Sequence, residues 1–354
     1  MRQANDGTLR VLMAGPLPPP LGGTTVSFRS LVDVLEARGD VSVRVVNTGG
    51  VRGRGVASVA ALFRLAGRTA RELRGVDVVT LFASTTGLHV LAPLFSQLAR
   101  RGAVPLMIRK FGGTDFFDYT PPRRASILWG LRGASLYLAQ TKALVERAKG
   151  AGFAHVEWYP NTRPMPELPD EDEIGDRTCR RFVFLGQVHG GKGVRELAEA
   201  GERLPEGVTV DIYGPLGFDV QESELNGRDR VTYRGPVDSD DVHDVLLKYD
   251  ALVLPSYHHG EGYPGVILEA YAAGLPVVST RWRAIPELVD DGATGLLVEP
   301  RDAGSLRDAM LSLVEDTGLY ARLREGVRAR RREFSDEIWS ERFVEYCRAL
   351  VGLP

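Results

Sequence analysis

The chain is poor in cysteine: its 354 residues include two, Cys179 and Cys347. They are isolated, without the paired spacing of a metal or redox site, so no disulfide framework is expected and a reducing cytoplasm is the expected location. No run of 18 or more apolar residues occurs, which argues against a transmembrane helix. The start, Met1-Arg-Gln-Ala-Asn-Asp-Gly7, lacks the apolar core of a signal peptide. Histidine is scarce, at six, and no His-Glu-x-x-His occurs. His258 and His259 are adjacent and cannot share one helical face, so no metal site is expected. No Ser/His/Asp or Cys/His signature of nucleophilic catalysis stands out; the glycines after the first strand do not form G-x-G-x-x-G, and the Lys192 loop does not match Walker A. Charge of one sign is also missing overall, since the net is −2. It is unevenly split: residues 1–170 carry 22 Lys and Arg against 12 Asp and Glu, and the remainder 22 against 34. A basic half facing an anionic membrane or a phosphate-bearing acceptor fits this split. Nucleic acid fits less well, because the basic residues are not interleaved with aromatics.

What is present is a repeated strand–helix rhythm over a length suited to two domains. Leu9–Ala14, Val41–Val46, Val76–Phe82, Pro105–Arg109, Ser135–Ala139 and Val156–Asn161 read as strands of a first half. Gly22 and Gly23 close the loop after the first strand, and Thr24 or Thr25 is placed to cap the helix that follows. Val56 to Gly75 reads as an amphipathic helix with Leu62, Phe63, Leu65 and Ala66 apolar. Its Arg64, Arg68, Arg71 and Arg74 form a stripe, which is either a solvated face or a dock for anionic lipid. Residues 163–176, rich in Pro and acid, read as a linker.

A second β-start follows at Arg181–Gly186, then Gln187-Val-His-Gly-Gly-Lys192-Gly, then a helix. Glycines around one Lys between strand and helix suit a phosphate, because amides approach it and the ammonium neutralises it. Strands Val208–Gly214 and Val231–Val237 end in glycine turns, and Asp240–Tyr249 and Leu306–Phe334 read as helices. The cluster Arg328, Arg330, Arg331 and Arg332 reads as a solvated face. Ile338–Leu350 reads as a last helix with Trp339, Phe343 and Tyr346 on one side.

The stretch Glu261-Gly-Tyr-Pro-Gly-Val-Ile-Leu-Glu269-Ala-Tyr-Ala-Ala-Gly274 carries the chemistry. It follows a buried strand, Ala251–Pro255, and holds a short apolar helix that Gly274 stops. Glu269 stands inside that helix, where an unpaired carboxylate costs several kcal/mol, of order 2–7 even for an uncharged polar group. It either pairs with an arginine or accepts hydrogen bonds from a diol, while first-turn amides one turn earlier suit a phosphate.

This stretch resembles the Glu-x7-Glu motif of the GT-B retaining glycosyltransferases of family four. The resemblance extends over most of the chain and is strongest from Phe182 to Val298. It implies an α/β fold of two facing Rossmann-like domains with parallel sheets and an interdomain cleft. It places an acceptor-side domain at 1–162, on which the helix at 336–354 packs back, and a donor domain at 177–335. It implies a metal-independent hexosyltransferase that moves a sugar from a UDP- or GDP-type donor to a hydroxyl acceptor with retained configuration. Polysaccharide, glycolipid or glycoconjugate synthesis at the inner face of the membrane is the implied setting. Glu261 would contact the donor sugar, Glu269 the ribose, and Lys192 with the Gly265, Val266 and Ile267 amides the diphosphate. Gly22, Gly23, Gly186, Gln187, Tyr213, Val237, Gly262, Tyr263 and Pro264 would complete the donor site, with Gly112, Gly113, Asp115, His258 and His259 lining the cleft.

Two positions depart from the family pattern. Phe111 replaces its histidine, and Gln187 its arginine, which costs one positive charge on the diphosphate: either binding is weaker or an arginine from elsewhere compensates. A nucleotide-sugar epimerase or a non-catalytic partner of the same fold are the alternatives.

Overall fold

A computed structural model describes residues 7–19, 22–49, 56–112, 116–168, 178–225 and 229–353. Gly113 and Asp115 lie outside the described residues. The chain divides into two units, Met1–Thr162 with Asp336–Pro354, and Arg163–Ser335.

The first unit is a six-stranded parallel sheet in the order β2-β1-β3-β4-β5-β6. Its strands are β1 (Leu9–Gly15), β2 (Val41–Asn47), β3 (Val78–Ser84), β4 (Leu106–Phe111), β5 (Leu136–Ala139) and β6 (Val156–Trp158). Between them run α1 (Gly23–Glu36), α2 (Val56–Glu72), α3 (Thr85–Gly102), α4 (Pro121–Arg132) and α5 (Lys142–Gly150). β3 and β4 are buried along nearly their whole length because helices cover both faces, so they read as continuous apolar runs. Thr24 and Thr25 do not cap α1. Gly22 is the N-cap, and the Thr25 hydroxyl instead donates back to its carbonyl at 2.9 Å. The apolar set expected on α2 splits: Leu65 is buried, whereas Phe63 is 74% exposed.

Phe111 ends β4 inside the core, against Phe82. Beside it the Arg109 guanidinium is buried between the Phe111 and Tyr159 rings, 4.5 and 4.4 Å from their centroids, and donates to the Pro160 carbonyl at 2.6 Å. Burial lowers its pKa to about 10.

The second unit is another six-stranded parallel sheet, in the order β12-β11-β10-β7-β8-β9. Its strands are β7 (Arg181–Leu185), β8 (Thr209–Tyr213), β9 (Val231–Gly235), β10 (Ala251–Leu254), β11 (Val277–Thr280) and β12 (Gly295–Val298). Its helices are α6 (Val194–Glu202), α7 (Val242–Leu246), α8 (Gly265–Ala272), α9 (Ile285–Leu288), α10 (Ala303–Glu315) and α11 (Thr317–Arg330). The expected single helix 306–334 is two, because Asp316 ends one and caps the next by accepting from the Leu319 amide. The expected helix 240–249 shortens to α7 behind a tight turn at Ser239–Asp241.

The arginine cluster is not a uniform solvated face. Arg331 is 7% exposed, and its guanidinium donates to the Tyr271 and Ala272 carbonyls, both at 3.1 Å, which close the C-terminal end of α8. Arg330 pairs with Asp290 and donates to the Glu287 carbonyl.

The chain returns to the first unit with α12 (Asp336–Val351). Trp339, Phe343, Val344 and Cys347 join the core formed by β1, β3, α1 and Tyr159. The Tyr159 hydroxyl donates to the Trp339 carbonyl at 2.8 Å.

Candidate functional site

In the second unit β7 lies between β10 and β8, so the loops leaving β7 and β10 depart from the point where strand order reverses. Parallel sheets bind ligands outside the carboxyl ends of their strands at such a point. The β7 loop holds Gly186 to Gly193, and the β10 loop Ser256 to Pro264. They are tied together: the Tyr257 amide donates to the Gly191 carbonyl at 2.9 Å. Gly193 has φ +74°, and a methyl group there would run into the Pro255 carbonyl, so glycine permits both the turn and the close approach.

This packing brings together Lys192 and Glu261, 69 residues apart in sequence. Lys192 Nζ lies 2.5 Å from Glu261 Oε2, and the Ser256 hydroxyl donates to the same oxygen at 2.6 Å. Glu261 is 6% exposed, so it is no solvated loop residue. The Thr280 hydroxyl holds the Ser256 carbonyl, which fixes the base of the loop.

His189 and His258 stand in T-shaped contact, 5.0 Å between ring centroids. Burial, and then the neighbouring His258 and Lys192, lower the pKa of His189. Burial and then Lys192 lower that of His258. The Gly260 amide donates to His258 Nδ1 at 3.1 Å, which places the His258 ring proton on Nε2. Two uncharged imidazoles therefore border the Lys192 ammonium near neutral pH. His259 lies against Trp282, whose indole donates to the His258 carbonyl at 2.9 Å.

Glu261 to Pro264 lead into α8 and are buried. Pro264 is the N-cap of α8. Tyr263 donates to Glu287 at 2.8 Å. Of the three amides assigned to the diphosphate, that of Ile267 is already taken by the Pro264 carbonyl at 3.2 Å; those of Gly265 and Val266 remain at the helix end.

Glu269 is paired. Arg163 Nε and Nη2 each lie 2.9 Å from its Oε1. Sequence reasoning missed this partner, because residues 163–176 read as linker. It also missed Ser256, although only four residues of loop lie between it and Glu261. The Asp219 carboxylate, which accepts the Gly190 amide at 2.9 Å, gave no signal either.

Gly186 and Gln187 follow β7, and Gln187 is exposed. Tyr213 ends β8 with its hydroxyl 3.0 Å from that of Tyr249, which donates to Asp211 at 2.6 Å. Val237 is half-buried after β9. Gly22, Gly23 and Gly112 belong to the first unit. Among the described residues no group of three His, Cys, Asp or Glu is placed to hold a metal ion.

Residues 179–316 match the family model described as Glycosyl transferases group 1. Over 182 residues the chain is 34% identical to the D-inositol 3-phosphate glycosyltransferase of Xylanimonas cellulosilytica, covering 49% of this chain and 43% of that protein. Over 280 residues it is 28% identical to the putative colanic acid biosynthesis glycosyltransferase WcaL of Escherichia coli, covering 76% of this chain and 60% of that protein. The chain thus spans less than two thirds of either relative. Among solved structures, HepE of Anabaena in complex with UDP superimposes with a TM-score of 0.76 at 17% identity, over 97% of this chain and all of that one. That likeness is one of fold. The fold is GT-B, and residues 179–316, which contain Lys192, Glu261 and Glu269, are similar to the glycosyl transferases group 1 family.

Proposed function

We propose that the protein is a retaining, metal-independent glycosyltransferase. It moves a sugar from a nucleoside-diphosphate donor, UDP- or GDP-type, to a hydroxyl of a saccharide, lipid or other glycoconjugate acceptor. The observation that carries this reading is the Lys192–Glu261 pair, held by two loops at the switch point of the second sheet, next to the amides that open α8. That HepE, of the same fold, has been solved with UDP and with UDP-glucose supports the donor class.

In this reading Lys192 takes up the charge that develops on the departing diphosphate as the bond between sugar C1 and phosphate oxygen breaks. The acceptor oxygen forms the new bond to C1 on the same face, and its proton passes to the departing phosphate oxygen. Glu261, bonded to Lys192 and Ser256, orients sugar hydroxyls and does not attack C1. Glu269 accepts the ribose diol.

Thermal melting with UDP, GDP, ADP and dTDP tests the donor site. One of them at a hundred times its dissociation constant is expected to add about 2.7 kcal/mol, and the Glu269→Ala variant to lose that gain. A flat response to all four would overturn the reading.

The basic half is proposed to rest on an anionic membrane. α2 leaves Val59 54% and Phe63 74% exposed, beside the exposed Arg64, Arg68 and Arg71, with Arg74 just beyond. Each arginine near an anionic surface contributes about 1 kcal/mol. No helix among the described residues is long and apolar enough to cross a membrane, so the contact would be peripheral, on the cytoplasmic leaflet. Sedimentation with phosphatidylglycerol vesicles is expected for the wild type and sharply reduced for Phe63→Ser/Arg68→Gln. Wild-type protein left in the supernatant would refute it.

A further inference from the structure

At the candidate site Lys192 is matched by Glu261, and Arg163 by Glu269. Gln187 is neutral, and the two histidines are held uncharged near neutral pH. Arg195 is committed to Glu224 and to the Asp219 carbonyl. A diphosphate adds at least two negative charges, and a cation whose present partner can turn to another task is suited to meet part of them. Glu269 is such a partner, because a carboxylate that accepts a diol no longer needs a guanidinium on the same oxygen.

We infer that Arg163 is a phosphate-binding residue for the nucleoside diphosphate, an inference that rests on the donor-site reading above. Three observations carry it. The guanidinium lies directly over Gly265, where a methyl group would collide with Nη2, so the cation sits on the first residue of α8 and not merely alongside Glu269. Its side chain is 11% exposed, a costly position for a cation unless paired and hydrogen-bonded. It also projects from a pinned backbone: the Arg163 amide donates to the Phe334 carbonyl at 3.1 Å, and Arg163 bridges Ser335. A short swing of the guanidinium from Glu269 brings its planar donor fork, which suits two phosphate oxygens, to the opening of α8. The swing at the same time clears Glu269 for the ribose. Arg163 thereby supplies the charge that Gln187 lacks.

The test is calorimetric titration of the full chain with UDP and with inorganic pyrophosphate, for wild type, Arg163→Gln and Arg163→Lys. Arg163→Gln is expected to weaken both ligands about 10- to 100-fold, as loss of hydrogen bonds to a charged group does, and Arg163→Lys to recover part of the loss. Pyrophosphate has no ribose. Weakening confined to UDP would therefore mean that Arg163 acts only by holding Glu269, and would overturn the inference. Unchanged binding of both ligands in Arg163→Gln would overturn it too. In each of these cases the donor site itself stands. A wild type that binds neither ligand would instead bring down the donor-site reading.

Discussion

Lys192→Ala is expected to lower turnover about 10²–10³-fold, the usual cost of removing one preorganised donor to a developing oxyanion. The readout is nucleoside diphosphate released from the sugar donor, with water as acceptor where no other is supplied. The effect should fall mainly on turnover, because the leaving diphosphate carries more charge than the bound donor and Lys192 meets that difference. The ammonium is well placed for this role. It comes from a turn fixed by Gly193 and by the Tyr257 amide, so little reorganisation is needed when charge develops. The same substitution takes the ammonium from the buried Glu261 carboxylate and leaves it the Ser256 hydroxyl. Glu261→Gln/Lys192→Ala separates the two consequences: it restores stability lost to the unmatched carboxylate but not turnover. A Lys192→Ala protein within threefold of wild-type turnover would remove Lys192 from the reaction.

Phe343→Ala is expected to cost about 3–5 kcal/mol, the range for emptying a buried aromatic position. Phe343 is fully buried on α12, with its ring 6.1 Å from Phe82 and 6.3 Å from Tyr159. For a unit of this size about 2–4 °C of melting temperature accompanies each kcal/mol, so the first unit should melt roughly 10 °C lower. Scanning calorimetry checks this. The transition that nucleoside diphosphate raises, belonging to the second unit, should keep its position. A change of less than about 2 °C in the melt would mean that α12 contributes little to the first unit.

Much of the fold was legible because it repeats one local rule. Parallel strands covered on both faces read as apolar runs, and the helices between them carry apolar residues at helical spacing. The pairing of Lys192 with Glu261 was half legible. Both residues stood in recognisable loops, but only strand order shows that those loops share the switch point between β7 and β10.

The failures have a common cause. Composition describes a segment, whereas burial is decided by what arrives from elsewhere in the chain. Arg163 sits among prolines and reads as linker, yet its side chain holds Glu269 across 106 residues. Arg331 reads as one more solvated cation, yet it closes the carbonyl end of α8. Phe63 lies in an apolar set at helical spacing, and nothing local tells which arc of α2 turns to the core.

The second unit is one uninterrupted stretch, Arg163–Ser335, whereas the first needs Asp336–Pro354 to cover the core face that α12 seals. Synthesis runs from the N-terminus at about 5–20 residues per second, so on the order of 10–30 s separates Thr162 from the first residues of α12. Throughout that interval Phe82 and Tyr159 lack the ring of Phe343. Of the two units, the one that is begun first is therefore completed second. Until α12 emerges from the ribosome, the nascent first unit exposes an apolar face of the kind that chaperones bind.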